Sequence, residues 1–347
     1  MAKFWASVLG GYPRGRLARY TMRDLDSGAL EPYRGLVELE RASALVVGAQ
    51  LASGMRFVVD GMLDWHDIFR PFAEAWRNVY LDGIIRYFDN NFFYRIPVFR
   101  GEPEPQRLVL PGRVKGLKML AEPAGVKVVV PGPLTMVKMG RNESDLSDYE
   151  LVDKIASALA LEVREAVANG AVFVQIDEPF LSDPEASRDD ARAAAEAASR
   201  IAREAGTALT ALAVYFDTPK PDIYEEIIDS KVSLVSLDVG DAPARAIGLL
   251  REKGCGGHGL VLGVIDARRI HDDSYSNVRE FVIKALDACR ELEEVGLTTT
   301  TWLDLVPLRF SLRKTYILGL YTERLAADLG GEAVIPITAK PEPYLAG

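Results

Sequence analysis

From Val126 onward the chain alternates short β-branched runs with amphipathic stretches, and this rhythm constrains the fold more than any other feature. "VKVVVPGP" reads as a buried strand stopped by Pro-Gly-Pro. Leu151, Ile155, Leu159 and Val163 then recur at helical spacing and end at Asn169-Gly170, a helix-stop signal. The strands "AVFVQIDEP", "TALTALAVYFD", "VSLVSLDV", "GLVLGVID" and "LTTTTWLD" follow. Each precedes a helix: an Ala-rich one from about Pro184 to Glu204, then "PDIYEEIIDS", "APARAIGLLREKG", "NVREFVIKALDACRELEEVG" and "RKTYILGLYTERLAADLG".

These are six βα units, and "FWASVLGG" and "MRFVVDG" supply two more strands in the first half. Eight strands alternating with helices predict a (β/α)8 TIM barrel, a single α/β domain over residues 1–347. The competing fold is an open doubly wound sheet, but no strand here runs through a GxGxxG turn into a helix. Residues 82–113 break the alternation. Their two extended runs, "FFYRIPVF" and "QRLVLPG", predict a β-hairpin inserted near the barrel mouth.

Charge and composition narrow the partners. A net charge of −9 argues against nucleic acid. No apolar run reaches the ~18 residues of a membrane span, and the first residues lack the long apolar region of a signal peptide. Two cysteines, Cys255 and Cys289, are too few for a disulfide framework and fit a reducing cytoplasm. Scarce Gln and Asn beside plentiful Glu and Arg lean toward a heat-adapted protein.

In such a barrel, functional residues stand at the C-terminal ends of strands. Acidic residues stand at six of these ends: Asp60, the Asp177-Glu178 pair, Asp217, Asp238, Asp266 and Asp304. Capping of the following helices is one reading of them. A carboxylate ring for an amine or a general acid is the other, with Asp177, Glu178, Asp217 and Asp238 as catalytic candidates. The histidines His66, His258 and His271 show no metal-ligand spacing, and Cys255 with His258 makes only a lone C-x2-H. No metal site is expected. Arg16, Arg19 and Arg23 share one face of the first helix beside Arg14, which suits a patch for carboxylates. "RYFDNNFFYRIPVFRG" packs Tyr87, Phe88, Phe92, Phe93 and Tyr94 around one Asp and two Asn, with Arg86 at its start. It is either a packing wedge or the wall of a site.

Several motifs, in a shared order, resemble the cobalamin-independent methionine synthase family, whose full-length members carry two barrels. "VLGGYPRG", "RYFDNNFFYRIPVF", "PGPLTMVKMGR", "VQIDEPFL", "VYFD", "LDVGD" and "LGVIDARRI" each look like a motif of its N-terminal barrel. They are spread from Val8 to about Pro307. The family's zinc barrel uses an H-x-C strand end, a Glu and a late Cys. Here those positions read Val214-Tyr215-Phe216, "VSLDVGD" and "TTTTWLDLVP", so the thiolate ligands are missing.

The resemblance therefore implies a stand-alone, zinc-free barrel that is not catalytic by itself. It would serve methyl transfer to homocysteine in methionine biosynthesis, with a zinc-bearing catalytic barrel as its partner chain. Its small-molecule ligand would be an anionic methyl donor, a polyglutamyl folate or a methanopterin-like pterin, and the chain itself would bind no cofactor. Arg86 matches a family lysine that meets the donor's glutamate tail, and Arg19 matches a basic residue of the first helix, whereas Met22 replaces a lysine. Arg14, Arg19, Arg23 and Arg86 are the implied tail-binding residues. A self-sufficient metal-free enzyme, a corrinoid-linked methyltransferase and a non-catalytic sensor are the alternatives within the same superfamily.

Overall fold

The computed structural model describes residues 2–88, 92–240, 242–290 and 292–335. In chain order the first half contains β1 (Lys3–Ala6), α1 (Arg16–Asp26), α2 (Pro32–Ala52), β2 (Phe57–Val58), α3 (Arg70–Ala73), β3 (Trp76–Tyr87), β4 (Phe92–Pro105), α4 (Leu110–Ala121), β5 (Gly125–Pro131), α5 (Pro133–Lys138), β6 (Arg141–Asn142) and α6 (Asp148–Ala168). The second half contains β7 (Ala171–Asp177), α7 (Arg188–Glu204), β8 (Leu209–Val214), α8 (Pro221–Ile228), β9 (Leu234–Asp238), α9 (Pro243–Lys253), β10 (Gly259–Ile265), α10 (Tyr275–Ala288), β11 (Glu294–Thr299), α11 (Leu308–Asp328) and β12 (Glu332–Ala333).

The parallel sheet runs β12-β1-β11-β10-β9-β8-β7-β5-β2. Backbone bonds close it: Arg56 N donates to Ala6 O at 2.9 Å and Tyr12 N to Gly61 O at 2.9 Å, joining the β1 and β2 segments. Ser7 Oγ adds a bond to Phe57 O at 2.9 Å. The fold is thus the predicted (β/α)8 barrel, with β12 laid beside the start of β1.

Side chains plug the barrel. Trp5, Phe57, Phe173, Ala211, Leu234 and Val261, from six different strands, form one buried cluster. The Trp5 and Phe57 rings meet edge to face at 5.2 Å, and Phe57 meets Phe173 at 5.0 Å. Gly296 is required here, because a Cβ at that position would lie 2.5 Å from the Trp5 indole. Above this layer the strand ends converge on the mouth.

Local signals set the helices. Ser147 with Glu150 and Ser187 with Asp190 form capping boxes at the starts of α6 and α7. Pro32, Pro111, Pro133, Pro221 and Pro243 occupy first-turn positions, where the missing N–H costs nothing.

Four local expectations are corrected. The antiparallel hairpin β3–β4 begins at Trp76, earlier than the sequence suggests, and ends at Pro105. "QRLVLPG" is not a strand. It leads into α4, whose first N–H groups at Val109 and Leu110 donate to the buried Glu162 carboxylate at 2.9–3.1 Å. The helix expected to run on through "ELEEVG" stops at Ala288, and β11 already starts at Glu294. Cys289, at the end of that helix, is disulfide-bonded to Cys255, with a Cα–Cα separation of 5.9 Å. This pairing corrects the reading of two reduced thiols. His258 instead places Nδ1 2.9 Å from Val232 O and Nε2 2.8 Å from Ile228 O. No helix among the described residues is long and apolar enough to cross a membrane.

Candidate functional site at the barrel mouth

A cavity of about 270 Å³ opens at the C-terminal ends of the strands. Its walls come from segments far apart in sequence: Gly11–Arg14 after β1, Met62 and Trp65–Ile68 after β2, Phe92–Tyr94 on β4, Tyr215 and Phe216 after β8, and Thr301, Trp302 and Asp304 after β11. Seven of these side chains are Tyr, Trp or Phe outside the β1 loop, which gives the mouth a mostly aromatic wall.

Trp302 divides the cavity from the barrel interior. Its indole lies over Gly10 and Gly11, where an added Cβ would come within 2.2 and 2.8 Å of the ring. Its Nε1 donates to Asp177 Oδ2 at 2.9 Å. Asp177 also accepts from Tyr215 OH at 3.1 Å and from Gln175 Nε2 at 2.6 Å. Below it, Lys127 Nζ donates to Val8 O and Leu9 O at 2.7 and 3.0 Å. Burial pushes the Asp177 carboxyl up and the Lys127 ammonium down, and each partly offsets the other.

The other strand-end acids are mostly tied to backbone. Glu178 accepts from Leu134 N, Thr135 N and Thr135 Oγ1 at 2.7–3.0 Å, so it caps α5. Burial still pushes it up to about 7, against these bonds. Asp60 accepts from Met62 N and Asp266 from Arg268 N, at 2.9 and 2.8 Å. Asp217 accepts from Thr218 N at 2.7 Å and pairs with Arg245. Asp238 accepts from Gly240 N at 2.8 Å and from Phe216 N at 3.2 Å. Of these acids Glu178 caps the helix after its strand, whereas Asp217 and Asp238 bond loop N–H groups ahead of α8 and α9, whose N-caps are Lys220 and Ala242.

Asp304 differs. Its Oδ1 is buried without a hydrogen-bond partner among the described residues. Burial pushes this carboxyl up to about 8, and its own backbone N–H and Arg14 pull it only part of the way back.

Phe216 is a residue that sequence reasoning missed. Its φ is +81°, a left-handed conformation that bulky side chains rarely adopt. The bond from Phe216 N to Asp238 is one of the contacts that fix it there. Its ring meets Phe88 at 5.1 Å, Tyr215 at 4.8 Å and Phe92 at 6.5 Å. The aromatic stretch of the hairpin is thus both wedge and wall. Tyr94 is buried, with its OH on Met139 O at 2.8 Å, while Phe92 and Phe93 face the cavity. Asp89, Asn90 and Asn91, and the side chain of Tyr87, lie outside the described residues.

The arginines divide between two places. Arg14 is half-buried, and its guanidinium donates to Leu63 O at 2.7 Å and to Trp65 O. Arg14, Arg19 and His66 line both the cavity and an adjoining cleft of about 440 Å³, which Met22, Arg23, Asp26 and Ser27 complete. Arg16, Arg19 and Arg23 surround the Tyr20 ring at 5.7, 5.8 and 4.9 Å. Arg86 is exposed on β3, paired in register with Phe93.

Zinc does not suit the residues of this mouth. The lining of the cavity includes no cysteine among the described residues, and both cysteines are joined to each other in the segments before β10 and β11. Among the described residues, no three His, Cys, Asp or Glu side chains converge to hold a metal ion.

The sequence profile of the cobalamin-independent synthase N-terminal domain matches residues 72–290. The chain belongs to this family. The synthase-family barrel resembles the "Methionine synthase" of Thermococcus kodakarensis, at 25% identity over 348 residues and 97% of each chain. It is 27% identical over 274 residues to the 5-methyltetrahydropteroyltriglutamate–homocysteine methyltransferase of Bacillus velezensis, covering 76% of this chain. The chain spans only 35% of that relative's length and 27% of its Bacillus subtilis counterpart's. The fold of the synthase-family barrel is shared with a B12-independent methionine synthase from Shewanella sp. W3-18-1 solved with selenomethionine, at a TM-score of 0.77, 19% identity, 94% of this chain and 98% of that one.

Proposed function

We propose that this synthase-family barrel binds the methyl donor of a split methionine synthase, whose zinc is supplied by a separate catalytic chain. The observation that carries this reading is the arginine cleft opening into the mouth cavity. Arg14 and Arg19 line both spaces, and Arg23 extends the basic edge. A donor with a flat body and a polyanionic tail, such as a polyglutamyl folate or a methanopterin-like pterin, suits an aromatic cavity beside a guanidinium cluster. Arg86, on β3 in register with the cavity-lining Phe93, would extend the same anionic contact. The missing thiolate ligands support assigning the zinc chemistry to a partner.

The test is co-purification from the source cell, followed by a methyl-transfer assay. A zinc-bearing barrel should come down with this chain, and methyl transfer to homocysteine should need both. A second reading, a self-sufficient methyltransferase, has one observation in its favour: a relative of matching length carries the name methionine synthase. Methyl transfer by the purified chain alone would establish that reading and remove the first.

A further inference from the structure

The Cys255–Cys289 bond joins the C-terminal ends of two neighbouring helices. Cys255 follows the end of α9 at Lys253, and Cys289 follows directly on Ala288, the last residue of α10. Both cysteines precede their strands, β10 and β11, so the bond lies on the face of the barrel away from the mouth.

Along the rest of their length α9 and α10 are separated by open space. A groove of about 510 Å³ runs between them, lined by Pro243, Ile247, Gly248 and Arg251 of α9 and by Val278 and Phe281 of α10. A second space, of about 600 Å³, leads from Arg251 past both cysteines to Arg290. A Cβ added at Gly248 would meet nothing within 4 Å outside its own helix. Protein interiors are close-packed, so a seam this open holds two helices together weakly. The polar bonds of α9 run to other neighbours. Lys253 Nζ donates to Glu225 Oε1 at 2.7 Å and Tyr224 OH to Gly254 O at 3.0 Å, both on the α8 side, and Arg245 pairs with Asp217. Among the described residues, the bond that ties α9 to α10 is the disulfide.

We propose that this disulfide is a redox clamp: a dithiol reductant opens it in the folded protein, and α9 with the loop after it then swings free of α10 while the rest of the barrel stays folded. Gly254, Gly256 and Gly257 have φ of +70°, +58° and +80°, so the backbone around Cys255 consists of residues that accept a change of path at little steric cost. The exchange needs no further reactant. A thiolate of the dithiol attacks the half-buried Cys255 sulfur, and the more deeply buried Cys289 leaves as a thiolate and takes up a proton. The second thiol then closes on the mixed disulfide and releases Cys255, so the dithiol is oxidised as the pair is reduced and its two protons end on the cysteines. The clamp lies away from the mouth, so it stands whichever methyl donor the chain takes.

Hydrogen exchange read by mass spectrometry on the full chain, oxidised and after dithiothreitol, tests this. The folded protein should yield both thiols to dithiothreitol. Reduction should then speed exchange over residues 243–257 at least about tenfold more than over α6 and β7, and reoxidation should reverse it. Cys289→Ser should show the same pattern without reductant and no response to reductant. Gly248→Ala, which favours the helix, should slow α9 exchange in the reduced protein by about fivefold. Equal acceleration over α6, α7 and α9 overturns the proposal, because a bond that acts only through the unfolded chain has that signature. It is equally overturned if the folded protein resists dithiothreitol, if reduction leaves α9 exchange unchanged or unfolds the whole chain, or if Gly248→Ala leaves the reduced protein's α9 exchange as it was.

Discussion

The indole N–H of Trp302 donates to Asp177 Oδ2 at 2.9 Å, joining the last strand end of the barrel to the end of β7. The bond holds the indole flat over Gly10 and Gly11 and so sets the floor of the cavity. Trp302→Phe should remove this donor and leave Tyr215 OH on the same oxygen. The expected loss is about 1–3 kcal/mol of stability, as for any buried acceptor deprived of a partner. Gly10→Ala should cost a similar amount, roughly 1–3 kcal/mol, by forcing the indole aside. Denaturant melts of both variants check this, and unchanged midpoints would mean that the floor is not held by Trp302.

Asp304→Asn should stabilise the protein. In the fold the carboxyl is raised to about 8, whereas the unfolded chain ionises near the ordinary Asp value. Between those limits the unfolded state binds fewer protons, so this group's contribution is full in acid and declines as pH rises. The melting temperature of the variant should match the parent's near the ordinary Asp range and exceed it progressively toward pH 8. A gain of at least about 1 kcal/mol is expected at neutral pH, since one pKa unit corresponds to about 1.4 kcal/mol. A variant less stable than the parent at pH 7 would mean that Asp304 is ionised and paired in the fold.

The Cys255–Cys289 disulfide closes a loop with a sequence separation of 34. Cys289→Ser should lower stability by roughly 3–4 kcal/mol on the chain-entropy account. The reductant-treated parent should melt with the variant, and the variant should not respond to reductant. Equal melting of parent and variant without reductant would show that the bond is not formed in solution.

Arg19→Ala and Arg86→Ala should each weaken a polyglutamyl donor about tenfold, because a charge-assisted bond contributes about 1.5–3 kcal/mol. Neither should change stability by more than about 1 kcal/mol, as both side chains are exposed. The effect should shrink with a donor carrying one glutamate and at high salt. A large fall in melting temperature with unchanged donor affinity would assign these arginines to packing.

The barrel itself was legible in the chain. Strand runs such as "VKVVVPGP" and "AVFVQIDEP" carry their own stops, and the Ser147 and Ser187 caps are local events. Local physics, acting within about four residues, decides such elements. The guanidinium cluster was legible too, because three residues on one helical face follow from helical spacing. Two of the positions where this reading failed depend on long-range contacts. Glu162 captures the start of α4 from 52 and 53 residues away, and Cys255 turns up beside Cys289 only when α10 packs.

The candidate site divides in the same way. Sequence alone placed the acids at the strand ends, because a barrel puts those ends on one face. Which acid caps a helix and which is buried beside Arg14 was decided by tertiary structure. Glu178 meets the first N–H groups of α5, while Asp304 lines a cavity together with Trp65, to which no spacing rule relates it. The aromatic wall likewise exists only because a hairpin, a strained Phe216 and the Trp302 floor converge from three distant segments. Burial and hydrogen-bond satisfaction are sums over neighbours in space, so a pattern read along the chain cannot fix them.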